Sequence, residues 1–248
     1  MTSDNPRPPR QEPAPRTGKP LGARARARAE VTVAIKDEAR RQLAVEGAAK
    51  LSLRAVAREL GMVSSALYRY FPSRDELLTA LIVDAYDSLG AAAETAHARA
   101  VRADATPRER WLAVCRAVRE WAVAHPHEYA LIYGSPVPGY TAPRTTVEPA
   151  SRVGLLLMNV VRDAVQGPGV HVPPMNEGLR DEAERIAADL APDLPPAVVA
   201  ALVAAWSQVF GLVSFEVFGQ FNRVVEDRPA FFDQAVSQLA AGVGLLED

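Results

Sequence analysis

The chain has 248 residues, 48% of them hydrophobic and 23% charged, so it is long enough for a full core and ordinary for a soluble globular protein. Its one cysteine, Cys115, excludes an intrachain disulfide and a multi-cysteine zinc site. The net charge of −2 hides an asymmetry: residues 1–76 hold 15 Lys/Arg against 9 Asp/Glu, residues 77–248 hold 13 against 21. A basic first third on an acidic remainder suits a nucleic-acid-binding head on a body that does not bind, although charge also scatters unevenly in proteins without that task.

Residues 1–25 are rich in Pro and polar groups, and disorder is expected there. This N-terminus lacks the apolar stretch of a signal peptide, and no run of 18 apolar residues follows anywhere, so a soluble, cytoplasmic protein without a membrane span is expected. Arg24, Arg26 and Arg28 alternate with Ala ahead of the first helix. They form either an arm along phosphates or in a minor groove, or a solvated tail. From Ala27 to Glu46, Val31, Ile35, Ala39 and Leu43 recur every four residues, and Gly47 sits at a C-cap position.

A short helix opens at Ser52 with Val56, Ala57 and Leu60 on one face and closes at Gly61. A third opens at Ser64 and Ser65 and runs through Tyr70 before Pro72. Ser73 and Glu76 have capping-box spacing and start a longer helix with Leu77, Leu78, Leu81, Ile82 and Tyr86 on its apolar side. Thr106, Pro107 and Glu109 repeat the signal for a helix to about His125, and Gly134–Pro143 reads as a loop. Further helical stretches cover about 145–166, 176–190, 196–222 and 229–246. No strand alternation competes, so the fold class is all-α: an N-terminal three-helix head over residues 26–80 and a helical body over 81–248.

Residues 51–71 carry the strongest signal. Two short helices joined by a glycine-containing turn make a helix-turn-helix. The second must be polar outward to enter a groove about 12 Å wide and apolar inward to seat on the first. Leu67 and Phe71, four apart, point inward, and Ser64, Ser65, Tyr68 and Arg69 are left outward.

Ile35 to Leu81, with Leu51-Ser-Leu-Arg-Ala-Val-Ala-Arg-Glu-Leu-Gly61 and Leu67-Tyr-Arg-Tyr-Phe-Pro-Ser-Arg-Asp-Glu-Leu-Leu78, resembles the DNA-binding domain of the TetR family of regulators. The resemblance implies that Ser52 caps its helix and donates to a phosphate and that Arg54 reaches a phosphate or a base. It implies that Ser64 and Ser65 face base edges, that Tyr68 bonds a phosphate with Tyr70 beside it, and that Arg74 contacts phosphate. Tyr68 as half-buried core, Arg69 as either a phosphate contact or a solvated residue, and Arg58 as part of a solvated face are the plainer readings. The chain departs from the family at Val63, where a capping serine is usual, and at Ala66, where a threonine is usual. A helix capped by Ser64 and starting one residue later is then expected.

In this family the last two helices pair with those of a second chain, and Pro196–Phe221 and Pro229–Leu246 match them. Trp206 to Glu216 resembles a branch with a Trp-His-Gly signature, with Phe210 in place of the histidine. Trp111, Trp121, Tyr129, Tyr133, Phe210 and Phe218 are candidates to line an effector pocket, or else plain core. Cys115 reads as core. His125 and His127 are two apart, with no third ligand adjacent, so neither a metal nor another cofactor is expected.

These observations lead to a homodimeric repressor that binds a palindromic double-stranded operator and is released by a small molecule of unknown identity. The alternatives are a DNA-binding adaptor controlled by a protein partner and an enzyme on a helical bundle. The chain offers the enzyme no Glu-x-x-His repeat, phosphate loop, or nucleophile with a base. A large apolar cavity in the body favours the effector, and a well-packed body favours the partner.

Overall fold

The computed structural model describes residues 22–246, which form ten α-helices and no strand. The expected disorder of the first residues falls mostly outside this range. Its last part is corrected, because helix α1 spans Ala23–Glu46 and takes Arg24, Arg26 and Arg28 into its first turns. The alternation of Ala and Arg favours helix, so these three arginines do not form an extended arm.

α1 buries Ile35, Ala39 and Leu43 as their spacing predicts, and it ends at Gly47, whose φ is 78°. Ser52 caps α2 (Leu53–Glu59) by accepting from the Ala55 N–H at 3.4 Å. α2 closes in a Schellman turn: Gly61, at φ 65°, donates to Arg58 and Met62 donates to Ala57. Helix α3 is one turn, Ser64–Leu67, shorter than the expected run to Tyr70. Beyond it the Arg69 and Tyr70 N–H groups bond three residues back, so the last turn tightens before Pro72. The exposed Val63 holds the N-cap position without a side-chain bond, and Ser64 is the first helical residue rather than the cap.

Ser73 caps α4 (Arg74–Arg102), accepting from Glu76 N at 3.1 Å. At roughly 43 Å, α4 is long enough to belong to two cores. Leu77, Leu78, Leu81 and Ile82 join α1, α2 and α3 in the head, whereas Ala85, Leu89 and Ala93 pack in the body. The full capping box forms at α5 (Pro107–Ala124), where Thr106 and Glu109 each bond the other's backbone N–H.

Pro126 does not introduce a loop. It occupies the first position of an unexpected helix, α6 (Pro126–Tyr133), because proline suits a first turn as well as it stops a preceding one. The remaining elements are α7 (Val147–Gln166), α8 (Arg180–Leu190), α9 (Pro196–Val217) and α10 (Arg228–Gly242). α9 ends before the expected residue 222, at a turn where Gly219 has φ 82°.

The body packs α4, α7, α9 and α10 around α5. Trp111 is fully buried there and donates its indole N–H to Val236 O of α10 at 3.1 Å. α9 is long and apolar enough to cross a membrane by length and composition alone, although it holds no unbroken run of 18 apolar residues. The polar residues Ser207 and Gln208 break the run in sequence but lie on the exposed side, while Val209, Phe210 and Val213 are buried.

Candidate nucleic-acid interface and internal cavity

Leu67 and Phe71 seat α3 in the head core, and this fixes what the other face presents. Ser64, Ser65 and Arg69 are exposed, as is Tyr68 at 42%. Val63 and Ala66 add an apolar element to the same face, with Val63 70% exposed. Arg54 on α2 is exposed too, and Arg58 is drawn to Glu59 at 3.3 Å. The structure therefore brings together Arg54, Ser64, Ser65, Tyr68 and Arg69 as a polar, net-basic surface.

Three expected contacts have internal engagements. The half-buried Ser52 hydroxyl accepts from the helix it caps. Tyr70 is half-buried beneath Arg28, whose guanidinium lies over the ring. Arg74 is the most extensively engaged of the three. Its Nε donates to Leu51 O at 3.2 Å, and its Nη2 meets Ala48 O at 2.9 Å and Ala49 O at 3.3 Å. These carbonyls end the short 3₁₀ turn Ala48–Lys50 and the link to α2. Arg74 thus ties the start of α4 to the approach to α2.

A second site lies at the junction of head and body: a cavity of about 740 Å³. Its walls come from Ile82 and Tyr86 of α4, the end of α6 and the loop after it, the first turns of α7, Leu190 of α8, and Leu202, Val203 and Trp206 of α9. Of the six aromatic residues proposed from sequence, only Tyr133 lines it. Trp111 and Trp121 are core struts, Trp121 donating to Ser88 Oγ at 2.9 Å. The Tyr129 hydroxyl bonds Phe210 O and Ser214 Oγ within the core, and burial pushes it up to about 12. Phe210 is buried behind Tyr133, and Phe218 is on the outside.

The lining contains no Asp, Glu, Lys, Arg or His among the described residues. Most of its hydroxyls already have protein partners. Tyr86 donates to Ile132 O at 3.3 Å, Tyr140 bonds Thr79 at 2.9 Å, and Ser151 donates to Glu148 O at 2.8 Å. Burial raises the Tyr86 and Tyr133 hydroxyls above the ordinary phenol range, which keeps both as neutral donors. Sequence reasoning missed Tyr140 and Gly154. The one usable signal was an aromatic residue inside the Pro/Gly loop, since loops carry function when a rigid scaffold positions them.

The cavity also borders the head. Ile82 belongs to the head core, against which Leu131, Ile132, Val137 and Tyr140 pack. Tyr140 reaches Thr79 on α4, and α4 is gripped from α1 by Lys36 and Arg40 on Asp84 at 2.8 and 2.7 Å.

Comparison with known proteins agrees with this geometry. Residues 35–81 match the family profile described as bacterial regulatory proteins, tetR family, and residues 111–239 match that of a tetracyclin repressor-like C-terminal domain. The chain is 39% identical over 229 residues to the HTH-type transcriptional regulator Rv1816 of Mycobacterium tuberculosis, covering 89% of this chain and 95% of that one. The same figures hold for the HTH-type transcriptional regulator Mb1846 of Mycobacterium bovis. The crystal structure of SCO4313, a proposed regulatory protein, superposes with TM-score 0.72 at 32% identity, covering 87% of this chain and 98% of that one. A bacterial regulatory protein in the tetR family from Rhodococcus RHA1 shares the fold, with TM-score 0.61 at 15% identity and coverage of 88% and 99%.

Proposed function

The chain belongs to the tetR family of bacterial regulatory proteins and is a transcriptional regulator, and from that premise we propose that it is a homodimeric, cytoplasmic repressor released from a palindromic operator by a small molecule. The observation that carries the DNA-binding part is the two-faced α3. Its apolar side is locked by Leu67 and Phe71, and its polar side is open at Ser64, Ser65 and Tyr68. Such a helix offers donors and acceptors to base edges in the major groove while Arg54, Tyr68 and Arg69 hold the backbone.

A single short helix reads too few bases, so the reading needs two heads about one helical turn (~34–36 Å) apart. An apolar face on α9 and α10 supports the pairing. Phe215 and Phe231 are 52% and 43% exposed, and both meet Phe221 edge-on. A patch of this kind on one chain is what a self-complementary two-fold interface covers.

The cavity supports control by an effector over control by a protein partner. Its wall shares Ile82 with the head and reaches Thr79 through Tyr140, so an occupant pressing on α4 or on that loop changes the angle at which the head leaves the body. To take occupancy from nearly full to nearly empty, the effector must favour the released form by ~5.5 kcal/mol. An enzyme reading has no cluster of reactive groups to stand on in this cavity.

The test is selection of bound fragments from a genomic pool with the purified protein, followed by sizing of the complex. The expected result is an inverted repeat holding two chains, with affinity falling steeply as salt rises. Recovery of no preferred sequence, or binding by one chain to an asymmetric site, would overturn the reading.

A further inference from the structure

We infer that the molecule received by the junction cavity is uncharged and largely apolar, and carries an acceptor oxygen such as a carbonyl that is met by the Tyr133 hydroxyl and the Trp206 indole N–H. This rests on the cavity being the effector site, and deepens that reading by naming the chemistry of the occupant.

Three features of the wall lead there. The first is the absence of charge. A carboxylate or ammonium group brought into a cavity with no charged lining side chain loses its hydration without gaining a counter-ion, and that penalty is far larger than any gain from burying its apolar part.

The second is the state of the two donors. Tyr133 is wedged between three rings: Phe210 stacked at 4.3 Å, Tyr129 tilted at 5.1 Å and Tyr86 edge-on at 6.0 Å. That packing fixes its orientation, yet its hydroxyl makes no hydrogen bond among the described residues. The Trp206 Nε1 makes none there either. It stands beside Gly154, where an added Cβ would be 3.8 Å away, so the absent side chain keeps the approach to the indole open. Of the neighbouring hydroxyls, Tyr86 and Ser151 donate to backbone carbonyls and Tyr140 is paired with Thr79, so Tyr133 and Trp206, with the exposed Ser135 at the rim, are the donors that the protein leaves open. Trp206 is 38% exposed and Tyr133 half-buried, so both donors are open to an acceptor on the ligand rather than held by the protein, and an indole N–H can do nothing but donate.

The third is size. At about 740 Å³ the cavity falls in the range of drug-sized ligands, and apolar side chains with a few oriented polar groups are the usual lining of such sites.

The test uses the full-length protein without DNA and two fluorescent naphthalenes of similar size: prodan, a neutral ketone, and the anion anilinonaphthalenesulfonate. The expected result is saturable prodan binding at one site per chain, at least tenfold tighter than the anion. Tyr133→Phe and Trp206→Phe should each weaken prodan three- to tenfold, while changing the affinity of 2-ethylnaphthalene, measured by displacement, less than twofold. Equal or tighter binding of the anion, no saturable prodan binding, or unchanged prodan affinity in both variants would overturn the inference. Release of operator by prodan is read separately. Binding with the expected variant pattern but without release would leave the cavity chemistry standing and count against its role as effector site.

Discussion

The Arg28 guanidinium lies 4.9 Å from the centroid of the Tyr70 ring and donates to the Arg69 carbonyl at 3.0 Å, so α1 braces the end of the recognition segment. The carbonyls at the end of a helix lack intrahelical partners, and an arginine bonded there both satisfies one and favours the negative end of the helix dipole. A basic residue that looked like part of a DNA-seeking arm thus acts within the head.

Arg28→Ala should weaken operator binding by up to about thirtyfold, the loss of one cation–π contact and one hydrogen bond, each worth about 1 kcal/mol. Because this role needs no phosphate, the slope of log affinity against log salt should stay unchanged. A slope smaller by about one would make Arg28 a backbone contact instead.

Arg74→Ala should lower stability by about 2–3 kcal/mol, because it leaves the Ala49 and Leu51 carbonyls without their Arg74 donor and removes one of the two donors on Ala48 O. Lysine, lacking the planar fork, should restore only part of this. Thermal unfolding of the three proteins checks it. An unchanged midpoint together with lost operator affinity would return Arg74 to the phosphate contacts.

Arg54 and Tyr68 are separable by salt. Arg54→Ala should reduce the salt slope by about 0.9, one counterion's worth, because it removes a charge from the exposed α2 face. Tyr68→Phe removes a neutral hydroxyl and should reduce affinity several-fold at every salt concentration with the slope intact. Titrations at three or four ionic strengths decide both.

Phe215→Glu combined with Phe231→Glu should give a folded monomer whose operator affinity is lower by two orders of magnitude or more. Both side chains are on the surface of the single chain, so the substitutions add charge there without opening the core. Sedimentation with and without DNA is the measurement. A variant that stays dimeric would move the two-fold contact to another face.

Acid should loosen the joint between α4 and α7. Arg152 donates to both carboxylate oxygens of Glu94, at 2.9 and 2.7 Å, and holds that carboxyl below its usual range. Gly90 makes this possible, since a Cβ there would sit 2.6 Å from the Arg152 Nε. A pKa lower in the folded than in the unfolded chain gives stability that is complete above the unfolded value of about 4.5 and fades as pH falls through the folded one. The pair is largely exposed, so the effect is small and screened by salt. The unfolding midpoint should fall less between pH 6 and 3 for Glu94→Gln than for the wild-type protein, and identical acid limbs would remove this pair from the account.

Much of the head, and the start of α5 in the body, was legible in the residues themselves. Ser52, Gly61, Ser73 and Thr106 mark helix ends through contacts within a few residues of each position, and the spacing of Ile35, Ala39 and Leu43 names the buried side of α1 before any neighbour is known. The family resemblance carried the position of α3 for the same reason, because the exposed polar face and the two inward anchors repeat at fixed intervals.

The cavity was not legible in this way. Aromatic residues were reasonable candidates for a lining, yet five of the six became struts or surface. Whether a ring packs or stands at an opening depends on which helices converge on it. Tyr140 and Gly154 entered the site from a loop and a small residue that look unremarkable in sequence.

By itself the sequence determined the elements and the outward face of α3, because caps, periodicity and turn glycines act over a few bonds. Only the tertiary structure decided that Arg74 is spent on carbonyls 23 to 26 positions away and that Tyr133 and Trp206 border a single cavity with free donors. Such outcomes depend on through-space partners that no local pattern encodes.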